Sequence, residues 1–223
     1  MVDLAAEASA PLRVVHLGAG ALTLARYVGA TRPGSRQRAV EVSDEVAAVV
    51  RTALPLPRGV KVPVQITDAR EALGRLRDGS ADLVVLDVFA GARTPAHLTS
   101  VELYAEVARV LAPSGCLAAN VADGPGLAFA RGQVATAAPV FGHLAVIAEP
   151  AVWRGRRFGN LVLVAAGAPL PTAALARRCA GDPVPARVVA GADLARWAAG
   201  AAVVTDATAV DSPEPPREVF GRR

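Results

Sequence analysis

The arrangement of apolar runs predicts an α/β protein. It has a mostly parallel sheet of seven strands, helices on both faces and an antiparallel hairpin strand near the end. Three observations carry this. Short apolar runs alternate with segments of helical spacing over residues 12–121. Those runs are apolar on successive residues, as in LVVL at 83–86, the mark of strands covered on both faces. The last two runs, 143–148 (HLAVIA) and 160–165 (NLVLVA), lie too close together for a parallel crossover, so they pair antiparallel.

Each element follows from local chemistry. Residues 12–17 (LRVVHL) are the first strand, ending in Gly18-Ala19-Gly20, and 21–30 have helical spacing. Residues 38–42 (RAVEV) are the second strand, and Ser43-Asp44 cap a helix from 45 to about 54. Residues 60–66 (VKVPVQI) form the third, which Pro63 confines to a sheet edge or a bulge. Thr67-Asp68 cap a helix over 69–76. Residues 81–86 (ADLVVL) end at Asp87, and a loop leads to a helix over 101–111. The turn Pro113-Ser114-Gly115 precedes a strand over 116–121. Two short helical stretches, 172–179 and 192–199, follow the hairpin. The organisation expected is a lead-in at 1–11, a main domain at 12–167, a helical extension at 168–210 and an unpacked, Pro-rich tail at 211–223.

Composition narrows the function classes. The chain has 223 residues, 52% of them hydrophobic and only 4% aromatic, so a large core must be built from Ala, Val and Leu. No run reaches the roughly 18 apolar residues of a membrane span. The longest candidate, 161–176, is broken by Pro169 and Pro171. The first residues carry Asp3 and Glu7 with no basic cluster, unlike a secretory signal. A cytoplasmic protein without a membrane partner is expected. Two distant cysteines, Cys116 and Cys179, argue against a disulfide scaffold or a structural zinc, and no metal is expected. The net charge of +4 is carried by arginine, Lys61 being the only lysine, and reads as compositional bias. Nucleic acid is not an expected partner, because only 153–158 (WRGRRF) interleaves arginine with aromatics.

In a doubly wound sheet, ligands bind beyond the carboxyl ends of the strands. Gly18-Ala19-Gly20 allow a tight turn and close backbone approach to a ligand, but the third glycine of the dinucleotide fingerprint is absent. Glu41, after the second strand, can accept both hydroxyl protons of a ribose, or be a solvated strand-end acid. Asp68 can cap its helix and also, with Ala69, meet the exocyclic amine of an adenine. Asp87 ends an apolar strand, where a carboxylate needs a partner or a role. That role is general base towards an attacking amine, or a structural acid bonded to loop amides.

These residues, with Pro95-Ala96-His97-Leu98 and Glu102-Leu103-Tyr104, resemble the spermidine synthases, the polyamine aminopropyltransferases. The resemblance covers roughly 14–165, is closest over 83–121, and implies the Rossmann-like class I S-adenosylmethionine-dependent methyltransferase fold. It implies transfer of an aminopropyl group from decarboxylated S-adenosylmethionine to an amine such as putrescine. Gly18, Ala19, Gly20, Glu41, Asp68 and Ala69 would hold the donor, and Asp87 would take the proton. The pattern departs in three places. Gly20 stands where the family has an acidic residue, and so does Ala90. The family's N-terminal β-domain is expected to be missing. Asn120 matches a family glutamine and is a candidate substrate ligand, with Asp123 and Glu102 as candidate replacements for the lost acids. Two alternatives stand beside this reading. One is a methyltransferase using intact S-adenosylmethionine, the other a binding homologue without catalysis. A small-molecule amine or methyl acceptor is the expected partner, and a homodimer is compatible.

Overall fold

The computed structural model describes residues 10–216. One eight-stranded sheet runs through it in the order β3-β2-β1-β4-β5-β7-β6-β8. Its first half is parallel: β1 (Arg13–Leu17), β2 (Arg36–Glu41), β3 (Val64–Ile66), β4 (Ala81–Leu86) and β5 (Leu111–Asp123). Helices α1 (Thr23–Thr31), α2 (Asp44–Ala53), α3 (Ala69–Gly74) and α4 (Val101–Val110) connect them. Strand β1 pairs with both β2 and β4, so the chain reverses its direction of travel across the sheet there. The carboxyl ends of β1 and β4 therefore open a crevice.

The caps explain where the helices start. Ser43 Oγ accepts the Val46 amide at the head of α2, and Ser100 Oγ accepts the Leu103 amide at the head of α4. β3 is the sheet's edge strand, as Pro63 requires, and the Pro63 carbonyl still accepts the Ala39 amide. The two faces of the parallel half are buried separately. Val15, Leu17, Val40 and Leu86 pack towards α3 and α4, with Leu73, Leu103 and Val107. Val14, Leu83, Val85 and Cys116 pack with Val28 of α1 on the other face.

The second half is antiparallel. β6 (His143–Ala148) and β7 (Gly159–Ala166) form the expected hairpin, with β7 inserted between β5 and β6. Three features of this half differ from the sequence reading. Helix α5 (Ala128–Ala137) fills the stretch between β5 and β6, which the sequence left unassigned. The hairpin loop contains one turn of helix, α6 (Pro150–Trp153). The extension is not purely helical, because β8 (Arg187–Ala190) lies between α7 (Thr172–Ala180) and α8 (Gly191–Ala198) and adds an eighth strand beside β6. Val188 and Val189 suit a strand, and the pairing covers an otherwise open edge. Trp153 and Trp197 meet edge to face at 5.0 Å over this junction.

The start of the expected tail is packed. The Ser212 amide donates to the Thr94 carbonyl, and the Thr94 amide donates to Ser212 Oγ at 2.8 Å. Asp211 accepts the Ala96 amide. Residues 201–212 thus form a strap running back over α5 and α4 to the loop after β4. The remainder of the tail at 217–223, and the lead-in at 1–9, lie outside the described residues. Among those described, no helix is long and apolar enough to cross a membrane.

Candidate functional site

Two cavities meet at the crevice between β1 and β4. The first, about 610 Å³, is lined by Gly18, Glu41, Asp68, Ala69, Asp87 and His97 among others. The second, about 470 Å³, lies against the start of α1 and is lined by His16, Ala19, Thr23 and Tyr27. Gly18, Gly20 and Asp87 line both, so Asp87 stands at the junction. The residues singled out at the ends of β1, β2, β3 and β4 therefore come together, while Asn120 and Asp123 of β5 line neither cavity.

Gly18 is the pivot. Its φ of +90° is left-handed, and a Cβ there would lie 2.1 Å from the Asp87 carbonyl oxygen. Only glycine lets the turn after β1 pass this close to β4. Gly20 differs: its φ is +46°, but a Cβ would meet nothing within 4 Å. The space beside it is open.

Glu41 is preset. Its Oε2 accepts the Ala19 amide at 3.3 Å and its Oε1 accepts the Ser43 amide at 3.1 Å. Each oxygen keeps a lone pair, so the oriented carboxylate can still accept from a vicinal diol. Asp68 performs the capping role: Oδ1 accepts the Arg70 and Glu71 amides at the head of α3. Its Oδ2 faces His97 Nε2 at 2.8 Å. Burial would raise the Asp68 carboxyl, but the His97 bond and the two amides outweigh it and hold it below the ordinary value. His97 belongs to the loop after β4, and Arg70 fastens that loop by donating to the His97 carbonyl. Arg70 is in turn held by Asp206 of the strap at 2.6 Å.

Asp87 is exposed, so the burial cost expected from its place after an apolar strand does not arise. Its partner is Asn120, whose Nδ2 donates to Asp87 Oδ1 at 2.8 Å. That bond fixes the amide orientation, because the reverse would set two acceptors face to face. Asn120 Oδ1 is then left buried with no partner among the described residues.

Asp123 does not join them. It is 3% exposed, and its two oxygens accept the Gly124 and Ala130 amides, closing the turn into α5. Burial raises its carboxyl despite those bonds. Glu102 is also engaged elsewhere, accepting the Asp206 amide. Neither lines either cavity, so neither stands where it could take the place of the missing acids. The arginines at 154–157 line neither cavity, and Arg157 pairs with Glu149.

His97 and His16 line the two cavities without being expected there from the sequence. His97 lay in view inside Pro95-Ala96-His97-Leu98. His16 is buried in β1 with its Nε2 2.9 Å from Gln37 Oε1. Gln37 donates its own amide to the Ala25 carbonyl, so the proton of that contact is on His16 Nε2. Burial depresses the His16 pKa, against the opposing pull of Gln37.

A crystal structure of a probable spermidine synthase from Corynebacterium glutamicum superposes with a TM-score of 0.82. It is 35% identical and covers 92% of this chain and 75% of that one. The chain belongs to the spermidine synthase-like family. A family model described as S-adenosyl-L-methionine-dependent methyltransferase matches residues 37–124, the stretch holding Glu41, Asp68, Asp87 and Asn120. A polyamine aminopropyltransferase of Chromobacterium violaceum is 27% identical over 111 residues, 49% of this chain and 42% of that one. The chain thus spans about two fifths of the curated relatives it matches. Human methyltransferase-like protein 13, solved with SAH, shares the fold at TM-score 0.59 and 21% identity. The sheet described above is that of the class I methyltransferase fold.

Proposed function

We propose that this chain is a transferase that binds an adenosyl-sulfonium donor in the larger cavity and passes an aminopropyl group to an amine in the smaller one. The observation carrying this reading is the position of Asp87 at the junction, tied to Asn120 and facing both cavities. The donor supplies a methylene made electrophilic by the adjoining sulfonium. Glu41, oriented by two backbone amides, suits the ribose, and Asp68 with Ala69 suits the adenine edge. An amine is an ammonium at neutral pH and must lose a proton before it attacks. Asp87 accepts that proton, and the Asn120 amide keeps its other face turned to the acceptor. The nitrogen forms a bond to the methylene as the carbon–sulfur bond breaks. The electron pair goes to sulfur, and a neutral thioether leaves. Holding the two reactants in line is the chain's other contribution.

Asp87 is the single carboxylate of the smaller cavity. One carboxylate offsets the desolvation of one ammonium, so a monoamine matches the pocket better than putrescine, which carries two. A second reading, methyl transfer from intact S-adenosylmethionine, is favoured by the open space at Gly20, where the donor's carboxylate would fit.

Parallel calorimetric titrations with decarboxylated S-adenosylmethionine, intact S-adenosylmethionine and methylthioadenosine separate the readings. The two donors differ only in the carboxylate. A preference of about tenfold for the decarboxylated form, about 1.4 kcal/mol, is expected for aminopropyl transfer. The reverse preference establishes the methyltransferase reading, and silence with all three sinks both.

A further inference from the structure

A third cavity lies at the opposite end of the same strands. It is about 610 Å³ and opens on the face of β1, β2 and β3 that α3 would cover if it were longer. Because α3 has only six residues, the amino-terminal half of that face is bare. The apolar part of the floor is Val15 and Leu76. The walls carry Arg13, Arg36, Arg38, Arg75 and Arg77, and no carboxylate lines the cavity.

The register brings these charges together. Arg36 and Arg38 project from the same face of β2, about 6.6 Å apart along the strand. Arg13 stands opposite Arg36 on β1. Arg75 and Arg77 come from the turn where α3 ends. Arg13 is bound to Asp82 at 2.6 Å, and Arg75 is paired with Glu71. Among the described residues, no group pairs with the side chains of Arg36, Arg38 or Arg77. Three unpaired guanidinium groups converging in one concavity repel one another and raise the local positive potential. The fold does not need this, since all three are exposed and none supports the core.

The geometry points to a second ligand site, remote from the donor and acceptor cavities, that takes a small anion carrying several linked phosphates. Guanidinium groups bind phosphate oxygens in pairs, and several around one concavity match several phosphates better than one. The volume is that of a small-molecule pocket. No aromatic side chain lines it, which argues against single-stranded nucleic acid, whose bases need stacking platforms.

Calorimetry on the whole chain tests this, with tripolyphosphate, ATP and monophosphate as probes and methylthioadenosine present at saturation. The nucleoside blocks the donor cavity, so ATP binding there is not counted. Tripolyphosphate is expected to bind once per chain, at least about tenfold tighter than monophosphate, and to weaken steeply between about 50 and 200 mM salt. Arg38→Ala and Arg77→Ala, made separately at exposed positions, should each weaken it about fivefold or more. Arg177→Ala, on α7 away from the groove, should leave it unchanged. ATP binding as well as tripolyphosphate assigns the site to the phosphate chain alone, and tighter ATP binding assigns it to a nucleotide. Three results overturn the proposal: no tripolyphosphate binding at low salt, binding that both groove variants retain, or displacement by a duplex RNA that binds more tightly. None of these touches the reading of Asp87, which is tested with the donors.

Discussion

Strand β2 begins with an arginine and ends with a glutamate, and the sheet repeats that contrast on a larger scale. At the carboxyl ends of the parallel strands stand Glu41, Asp68 and Asp87, set around a crevice with backbone amides and a histidine as partners. At the amino ends stand Arg13, Arg36 and Arg38, with Arg75 and Arg77 behind them. The two ends differ in how their charges are held. Glu41 and Asp68 each have both oxygens bonded, and Asp87 has Asn120, so the acidic end is preorganised. Three of the five arginines have no partner among the described residues, so the basic end is assembled but uncompensated. A preorganised charge orients what it meets, and an uncompensated one attracts it.

The largest break in this comparison should come at the junction of the crevice. Asp87→Asn is expected to lower kcat/KM by roughly a hundred- to ten-thousandfold for loss of a general base. Methylthioadenosine affinity and the melting temperature should change little, because Asp87 is exposed. Steady-state kinetics beside calorimetry measure both, and a variant with full turnover would remove Asp87 from the chemistry.

Gly18→Ala tests the backbone on which the acidic end depends. A Cβ 2.1 Å from the Asp87 carbonyl, at φ +90°, must displace β4. A loss of about 3 kcal/mol in denaturant unfolding is expected. Gly20→Ala, with a positive φ but free space, should cost about 1 kcal/mol. Equal costs at the two positions would mean that the close approach does not matter.

Glu41→Gln sharpens the claim of preorganisation. It removes the charge and sets an NH2 group against one of the amides from Ala19 and Ser43. Methylthioadenosine binding should weaken about tenfold, about 1.4 kcal/mol, while tripolyphosphate binding at the basic end stays the same.

The smallest effect concerns the strap. Hydrogen bonds from Arg70, then Ser100, hold the Asp206 carboxyl down at about 2. A depressed carboxylate adds stability above its unfolded value, near 4, and loses it as pH falls towards 2. Asp206→Asn should therefore flatten the acid limb of the stability curve between about pH 4 and 2 and leave the neutral plateau almost level. The Asp206 side chain is 46% exposed, so the difference should stay below about 1 kcal/mol. An unchanged acid limb would mean that the strap is held by its other contacts.

Much of this molecule could be read along the chain. The alternation of apolar runs and capped helices determined the parallel half. The short spacing between 143–148 and 160–165 determined the hairpin, because too few residues remain for a crossover. That Glu41, Asp68 and Asp87 share one crevice was legible because the carboxyl ends of neighbouring parallel strands lie side by side. The comparison with the Corynebacterium glutamicum structure places the resemblance in a family.

Tertiary structure decided the rest. Asp123 resembles the other strand-end acids, yet its oxygens turn to the amides of Gly124 and of Ala130 in the next helix, which no local pattern distinguishes from a turn to the crevice. The strand β8 is four residues long and exists because β6 offers it an open edge. Ser212 is buried only because Thr94, 118 residues earlier, receives it. His97 meets Asp68 across 29 positions, and the arginine groove exists because α3 stops after six residues. Spacing along the chain determines which elements form and which way they run. Contacts between distant residues, set by how those elements pack, determine which of two similar side chains faces a ligand.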